Sequence, residues 1–303
     1  MTTNVYFDPV PRSNEWDPPD DDSWTADAVE RAAREAAAER YAEHISADPA
    51  DPACPPETID QAVLFTREEN DSAALDMHDV QQGMLGDCFL LAPLAALARF
   101  PEGQELLRKA IAENRNASGD VVSYTVTLHK PQEHWLGLAK TTFTDVKVTI
   151  DATFFCGHAV ARPNGNLREV WPLVMEKAYA HYLGSHNALQ YDGSTSHAME
   201  VITGAPSQCI GLGRFAWGYS AERLQSDLTA GKIVTFGTRA DIQYDKDAPN
   251  LVAHHAYVAT GVVQIGGKPY VTLHNPWNAF QPRPVPYDRV RDWFAQVQVG
   301  AVP

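Results

Sequence analysis

The chain has 303 residues and a formal net charge of −15, from 24 Lys and Arg against 39 Asp and Glu. Hydrophobic residues make up 44% and charged residues 21%, which is typical of a globular protein and excludes a largely disordered one. An acidic surface repels phosphate, which argues against nucleic acid as a partner. No apolar run approaches the ~18 residues of a membrane-spanning helix. Because the N-terminus has no signal-peptide pattern, we expect a cytoplasmic protein without membrane insertion, or one exported by a signal-peptide-independent route.

The first 57 residues differ in composition from the rest of the chain. Residues 1–50 hold 12 acidic and 4 basic residues, so they carry −8, about half of the net charge. The Pro- and Asp-rich residues 1–22 predict disorder, Thr25–Ile45 predicts an alanine-rich helix, and the prolines that follow predict a linker. We interpret residues 1–57 as an acidic N-terminal extension. It could be a cleavable pro-segment, a partner-binding arm or a solubility tail.

The elements of the body predict an α+β fold, with helices first and strands later. Residues 88–99 form an apolar helix, and Val170–Leu183 forms a second helix that ends at Gly184. Runs rich in β-branched residues predict strands at Val121–His129, Thr142–Asp151, Lys232–Thr238, Ala256–Ile265 and Pro269–Leu273. This order suggests a helical lobe over residues 58–195, a β-rich lobe over 196–303, and a cleft between them.

Cys88 lies where a glycine-containing loop meets the start of the first apolar helix. A helix N-terminus stabilises a thiolate through its dipole and its free N–H groups, and a neighbouring imidazolium would lower the thiol pKa further. Gly83 and Gly86 allow the turn that would expose the sulfur. We expect Asp87 to cap the helix through its side chain rather than face the sulfur. The pattern is typical of a cysteine nucleophile.

A cysteine nucleophile needs a base and a group that orients the base, and two later segments offer them. His254 and His255 enter one strand, and Asn275 leaves the next. An asparagine that accepts from one imidazole nitrogen would leave the other nitrogen for sulfur. In a regular hairpin, however, Asn275 would share a face with His254. His255 can meet Asn275 only if a β-bulge or an odd-length loop intervenes, and we predict one.

These motifs together resemble the calpain family of papain-like cysteine proteases. The similarity covers Gln82-Gly83 through Gly86-Asp87-Cys88, then His255-Ala-Tyr257, then Asn275-Pro-Trp277, in the family's order. A fourth stretch also agrees, from Val170 through Glu176-Lys177-Ala178-Tyr179 to Gly193-Ser194-Thr195. The similarity spans about residues 75–280 and indicates a short, bacterial-type member with a papain-like two-lobed fold.

The resemblance implies a role for each matching residue. Cys88 would be the nucleophile, His255 the general base and acid, and Asn275 the residue that orients His255. Gln82 would donate its side-chain amide to the oxyanion, together with the Cys88 backbone N–H. Trp277 would shield the His255–Asn275 hydrogen bond from water. The implied activity is a cysteine endopeptidase that hydrolyses peptide bonds of protein or peptide substrates through a thioester.

The chain departs from the family pattern at three of its positions. Phe89 stands where the family has tryptophan, Pro93 lies inside the predicted helix, and Asn278 replaces a glycine. Two alternatives therefore accompany the endopeptidase hypothesis. One is a papain-fold acyl transferase that carries out transamidation, and the other is a catalytically weak binding module.

The expected chemistry requires no cofactor, and the sequence predicts no metal site. The histidines at positions 158, 181, 186 and 197 lack metal-ligand spacing, and no EF-hand motif is present. Calcium binding by the protease core is left open. The four cysteines show no CxxC spacing, so we expect free thiols. We also expect Glu176 and Lys177 to pair, and the sequence carries no signal for an oligomeric state.

Overall fold

The structure is a computed structural model that describes residues 56–67, 74–83, 85–132, 141–155, 168–185, 188–189, 193–213, 218–242 and 249–303. The predicted N-terminal extension lies outside these residues except for Pro56 and Glu57. The expectations for its disorder and its helix therefore stay predictions.

The described residues contain six α-helices and eleven strands. The helices are α1 (Cys88–Ala98), α2 (Pro101–Ala110), α3 (Trp171–Leu183), α4 (Thr195–Thr203), α5 (Ala221–Thr229) and α6 (Val290–Trp293). The strands are β1 (Pro56–Thr58), β2 (Ile111–Arg115), β3 (Val121–Gln132), β4 (Thr142–Asp151), β5 (Thr153–Phe155), β6 (Ser207–Gly211), β7 (Ile233–Thr238), β8 (Ala256–Ile265), β9 (Lys268–His274), β10 (Val285–Pro286) and β11 (Phe294–Gly300). Every helix and strand predicted for the body is present, with ends that differ by at most three residues.

The strands form three antiparallel sheets. Strands β2, β3 and β4 make a three-stranded sheet, and β1 pairs with β5. The largest sheet has six strands in the order β10-β9-β8-β7-β11-β6. Its consecutive strands β7, β8 and β9 are neighbours, so the segments that carry His255 and Asn275 lie side by side.

Two clusters of buried apolar residues form the interior. The first joins α1, α3, α4 and the β2-β3-β4 sheet, and the second lies on the six-stranded sheet. Helix α1 also packs against β7 and β8, because all of its residues from Phe89 to Ala98 are buried. The fold is thus mixed α and β.

The three-stranded sheet lies within residues 58–195, where the strands Val121–His129 and Thr142–Asp151 were predicted. The first core continues through Ile202 in α4, beyond the predicted boundary at residue 195, since α4 packs its apolar face on α1 and β3. Among the described residues, no helix combines the length and the hydropathy needed to cross a bilayer.

Candidate active site

Cys88 is the first residue of helix α1 and lies beside the strand that follows His255. The helix begins with the backbone carbonyl of Asp87, which accepts from the amides of Leu90 (2.8 Å) and Leu91 (3.1 Å). Cys88 is half-buried and packs against the first core, which includes Ala256 at the start of β8. The backbone N–H of Ala256 contacts the sulfur. Helix α1 and strand β8 therefore bring the cysteine next to His255.

The prediction that the Asp87 side chain caps the helix is wrong. Asp87 occupies the N-cap position, but its carboxyl makes no capping hydrogen bond and is fully buried. It faces the buried carboxyl of Glu176 on α3 instead, close enough for a hydrogen bond when one of the two carboxyls is protonated. Burial raises the pKa of Asp87 to about 7, and the bond from Glu176 opposes this only in part. A buried pair of carboxyls with a raised pKa retains a proton that water-exposed carboxyls would release.

The expected pair of Glu176 and Lys177 is also wrong. The Lys177 ammonium reaches the other way, to a carboxylate oxygen of Asp151 at 2.7 Å and to the Thr153 carbonyl at 2.6 Å. Successive residues on a helix project about 100° apart, so neighbours in sequence do not face each other. Lys177 thus joins α3 to β4 and β5, and Glu176 points toward the start of α1.

The predicted β-bulge is present in the β8–β9 hairpin. Near the Gly266-Gly267 turn the pairing is regular, but it shifts by one residue between Ala259 and Gly261, which leaves Thr260 as the extra residue. As a consequence His274 pairs with Val258, so Asn275 comes opposite Tyr257. Residues 255 and 257 point to the same face of a strand, which brings the side chains of His255 and Asn275 together.

The hydrogen bonds of Asn275 determine which nitrogen of His255 carries a proton. The Asn275 Nδ2 donates to the carbonyl of Ala279 at 2.9 Å, and its Oδ1 accepts from the Trp277 backbone N–H at 3.1 Å. The same Oδ1 lies 2.8 Å from His255 Nε2. Because an amide oxygen only accepts, Nε2 must donate. The lone pair is then on Nδ1, the nitrogen left for the cysteine.

Aromatic and hydroxyl groups hold His255 in this orientation. The ring of Trp277 lies 4.7 Å from the His255 ring, and Tyr257 contacts it edge-on at 4.9 Å. The Thr238 hydroxyl accepts from the His255 backbone N–H at 2.8 Å. By contrast His254 is exposed and has a φ of +51°, so the backbone turns sharply just before the histidine that meets Asn275.

Gln82 is buried near the loop that precedes Cys88. Its backbone N–H donates to the Pro276 carbonyl at 2.9 Å, which ties this loop to the segment after Asn275. Its side-chain Nε2 donates to the Leu85 carbonyl at 2.6 Å. An amide nitrogen has two hydrogens, so this bond orients the group and leaves the second hydrogen for another acceptor.

Burial dominates the electrostatics of Cys88 and His255. It raises the pKa of the Cys88 thiol to about 12; the nearby Asp87 carboxyl adds to this, and the backbone N–H groups of Ala256, Phe89 and Cys88 itself oppose it. Burial also lowers the pKa of His255 to about 4, and the hydrogen bond that His255 donates to Asn275 opposes this by raising the pKa. The expectation of a lowered thiol pKa is therefore wrong for this arrangement. Thiol and imidazole are both neutral at pH 7, and these two described side chains share no hydrogen bond.

Two residues that hold His255 and Asn275 in place were not identified from the sequence. Thr238 bonds to both the N–H and the carbonyl of His255, and the Gln281 side chain accepts from the Asn275 N–H at 2.8 Å. Gln281 also donates to the Asn275 carbonyl at 3.3 Å, as a neighbouring strand would. Neither residue belongs to a motif, because each acts on backbone groups that only folding brings within reach.

Within the part of the chain that the structure describes, the remaining cysteines and histidines form no second site. Cys54, Cys156, His158 and His186 lie outside the described residues. Cys209 is an exposed free thiol on β6. In the described part of the chain, no three side chains of His, Cys, Asp or Glu cluster as metal ligands would.

Comparison with known proteins identifies the family. The family model described as calpain family cysteine protease matches residues 55–298. Calpain-13 of Rattus norvegicus is 30% identical over 225 residues, which cover 71% of this chain and 31% of that protein. Calpain-9 of Homo sapiens is 27% identical over 206 residues, 66% of this chain and 28% of that protein. The calpain-type cysteine protease DEK1 of Arabidopsis thaliana is 29% identical over 223 residues, 71% of this chain and 9% of that protein.

The matched region contains Cys88, His255, Asn275 and Gln82, which the fold brings into one neighbourhood. The chain spans less than a third of the length of each of these three relatives. A family match over residues 55–298 covers most of the chain, including both buried cores. The chain belongs to the calpain family of cysteine proteases.

Proposed function

We propose that this chain is a cysteine endopeptidase that hydrolyses peptide bonds of protein substrates with Cys88, His255 and Asn275. The observation that carries the proposal is the 2.8 Å contact of His255 Nε2 with Asn275 Oδ1, which leaves His255 Nδ1 as the basic nitrogen. This contact depends on a bulge that a merely structural hairpin does not need. A papain-like arrangement of two lobes, with the cleft at the start of α1, is part of the same proposal.

Acylation begins when Cys88 Sγ attacks the carbonyl carbon of the scissile bond. His255 Nδ1 takes the thiol proton, and the carbonyl π electrons move to oxygen. The second hydrogen of Gln82 Nε2 and the Cys88 backbone N–H stabilise this oxyanion. Because thiol and imidazole are both neutral at rest, proton transfer accompanies the attack instead of preceding it.

Collapse of the tetrahedral intermediate breaks the C–N bond, and His255 gives its proton to the leaving amine. This step leaves a thioester on Cys88. Water then attacks the thioester carbonyl while His255 Nδ1 takes a proton from it, and the C–S bond breaks to release the carboxylic acid. The proton returns to sulfur, so the site is regenerated without a cofactor. Trp277, packed on the imidazole, limits the access of water to the His255–Asn275 bond.

Two observations support a second candidate, a catalytically weak binding module. The Cys88 thiol and the His255 ring share no hydrogen bond, and burial raises the thiol pKa. A site that stays in this state would bind a peptide without cleaving it. A third outcome, transfer of the acyl group to an amine, follows the same acylation chemistry and differs only in the acceptor.

Cleavage of fluorescently labelled casein by the full chain tests these alternatives. We expect thiol-dependent turnover that Cys88→Ala abolishes and that Cys209→Ala, which removes the exposed cysteine, leaves unchanged. Each protein is assayed with calcium and with a calcium chelator, since calcium dependence of the core is part of the question. No turnover of the unmodified chain in either condition would overturn the endopeptidase proposal. Incorporation of a labelled amine without cleavage would favour the transferase.

A further inference from the structure

The β-bulge at Thr260 leaves two backbone carbonyls pointing the same way. In a regular strand the carbonyls of successive residues point to opposite edges, so one side chain cannot bond to both. The pairing of β8 with β7 covers Ala256 to Val258 and stops before the bulge. Beyond Val258, β7 gives no partner to the carbonyls of Ala259 and Thr260, and both accept part-buried hydrogen bonds from outside the sheet.

Arg99, the residue that ends helix α1, supplies that partner. Its Nη1 donates to the Ala259 carbonyl at 2.8 Å, and its Nη2 donates to the Thr260 carbonyl at 2.6 Å. A guanidinium presents two parallel donors in a rigid plane, which fits two acceptors that converge as they do at a bulge. The Thr260 hydroxyl completes the arrangement with a bond to the Thr272 hydroxyl on β9 at 2.8 Å.

We infer that Arg99 is a positioning residue for the active site, a role that rests on the proposed function. Its two hydrogen bonds stabilise the bulge that brings Asn275 beside His255, and Arg99 lies at the end of the same helix that begins with Cys88. Arg99 follows Cys88 by eleven positions, which is about 16 Å along a helix. Arg99 therefore lies far from the reacting atoms and acts only through the β8–β9 register.

The register is what makes this contact matter for catalysis. Without the bulge, Asn275 would lie opposite Val258 and share a face with His254, which is exposed. His255 would lose the acceptor that holds its Nε2 proton. The helix that carries the nucleophile and the hairpin that carries the base are thus joined at two places, at Cys88 beside Ala256 and at Arg99 beside Thr260.

The test compares Arg99→Met and Arg99→Lys with Gln104→Leu in the full chain. Gln104 is a matched control, because its buried side chain donates to the Ala98 carbonyl at 2.9 Å at the same end of α1 and makes no hydrogen bond to β8. We expect Arg99→Met to lower kcat at least tenfold with KM changed less than twofold. Arg99→Lys keeps the charge but not the fork, so it should recover part of kcat. Gln104→Leu should lower the Tm and leave kcat within twofold.

A double-mutant cycle with Asn275→Ala separates positioning from general destabilisation. If Arg99 acts through Asn275, then Arg99→Met costs less than a further twofold in the Asn275→Ala background. A kcat for Arg99→Met equal to that of Gln104→Leu, or a full tenfold loss in both backgrounds, would overturn the inference. If Arg99→Met does not fold by circular dichroism, the cycle is run with Arg99→Lys.

The same cycle distinguishes failure of this inference from failure of the proposed function. If the unmodified chain cleaves no protein, the endopeptidase proposal fails, and the cycle is measured on the rate of Cys88 alkylation by iodoacetamide. That rate depends on the imidazole beside the sulfur and requires no peptide hydrolysis. If the effects of the Arg99 and Asn275 substitutions on the alkylation rate are coupled, the positioning role is supported. If the two effects are additive, the positioning role is refuted.

Discussion

Replacing Asp87 by asparagine should change how the stability of this protein depends on pH. The Asp87 carboxyl is fully buried against Glu176, and burial raises its pKa to about 7 from the ordinary 3.8. The folded protein therefore keeps a proton that the unfolded chain releases near pH 4. Stability from this group is fully present below pH 4 and is lost as the pH rises through 7. The amide of asparagine does not ionise, so the variant does not lose this stability as the pH rises.

The magnitude follows from the two pKa values. Each tenfold step in proton concentration between them costs 1.36 kcal/mol, so ionised Asp87 destabilises the fold by about 4 kcal/mol above pH 7. Between pH 5 and pH 8, the difference in unfolding free energy between Asp87→Asn and the unmodified chain should rise by about 3 kcal/mol in favour of the variant. Taking the difference cancels the titration of groups that both proteins share.

Urea denaturation at pH 5, 6, 7 and 8 measures this difference, with Asp227→Asn as the control. Asp227 is also a buried carboxyl, but it pairs with the Lys232 ammonium at 2.7 Å and the Arg223 guanidinium at 3.7 Å, and it accepts from the Tyr219 hydroxyl at 3.0 Å. Its replacement removes an ion pair, so it should destabilise the protein instead of stabilising it at high pH. A constant difference between Asp87→Asn and the unmodified chain from pH 5 to pH 8 would refute the reasoning. Faster alkylation of Cys88 in Asp87→Asn at pH 8 is a second expected result, since the Asp87 charge contributes to the raised thiol pKa.

Two further predictions concern residues around the cleft. Asn278 has a φ of +56°, and its side-chain Nδ2 donates to the His78 carbonyl at 2.9 Å. Asn278→Gly should cost about 1 kcal/mol for the lost bond, and Asn278→Ala about 1 kcal/mol more for the left-handed backbone; equal unfolding free energies for the two variants would contradict this. A Cβ on Gly193 would lie 2.1 Å from the Phe89 ring, so Gly193→Ala should displace the residue next to Cys88, destabilise the fold by about 1–3 kcal/mol and slow casein cleavage. Phe89→Leu in the same chain should restore part of both, and no restoration would mean that the loss has another cause.

Local patterns in the sequence predicted two helices and five strands of the body, and left the other helices and strands that the structure describes unassigned. Strand β8 was predicted with its observed bounds, and the helix before Gly184 ends where a left-handed residue with a φ of +99° stops it. Such signals depend on residues within a turn or two of one another. Helix α4 was not predicted, and its packing on α1 and β3 depends on which segments cover its apolar face after folding.

The expectations that failed concern charge and burial. Asp87 in the N-cap position predicts a capping carboxylate. In the structure its carboxyl faces the buried carboxyl of Glu176 instead, on a helix more than 80 residues away. The helix N-terminus predicts a lowered thiol pKa, yet the enclosing strands desolvate the sulfur and raise it. Dipoles and caps can be recognised in a sequence, but desolvation depends on which segments cover a residue after folding.

The sequence by itself determined the family, the order of Cys88, His255 and Asn275, and the need for an irregular β8–β9 hairpin. The family and the order follow from the motif residues. The need for an irregular hairpin follows from the two-residue period of a strand, because His255 and Asn275 fall on the same face only if the pairing shifts by one residue. Only the tertiary structure decided where the bulge lies, that Arg99 holds it, and which nitrogen of His255 is free for the cysteine. The physical reason is that each of these depends on a hydrogen bond between segments distant in the chain, whose partners meet only when the whole body has folded.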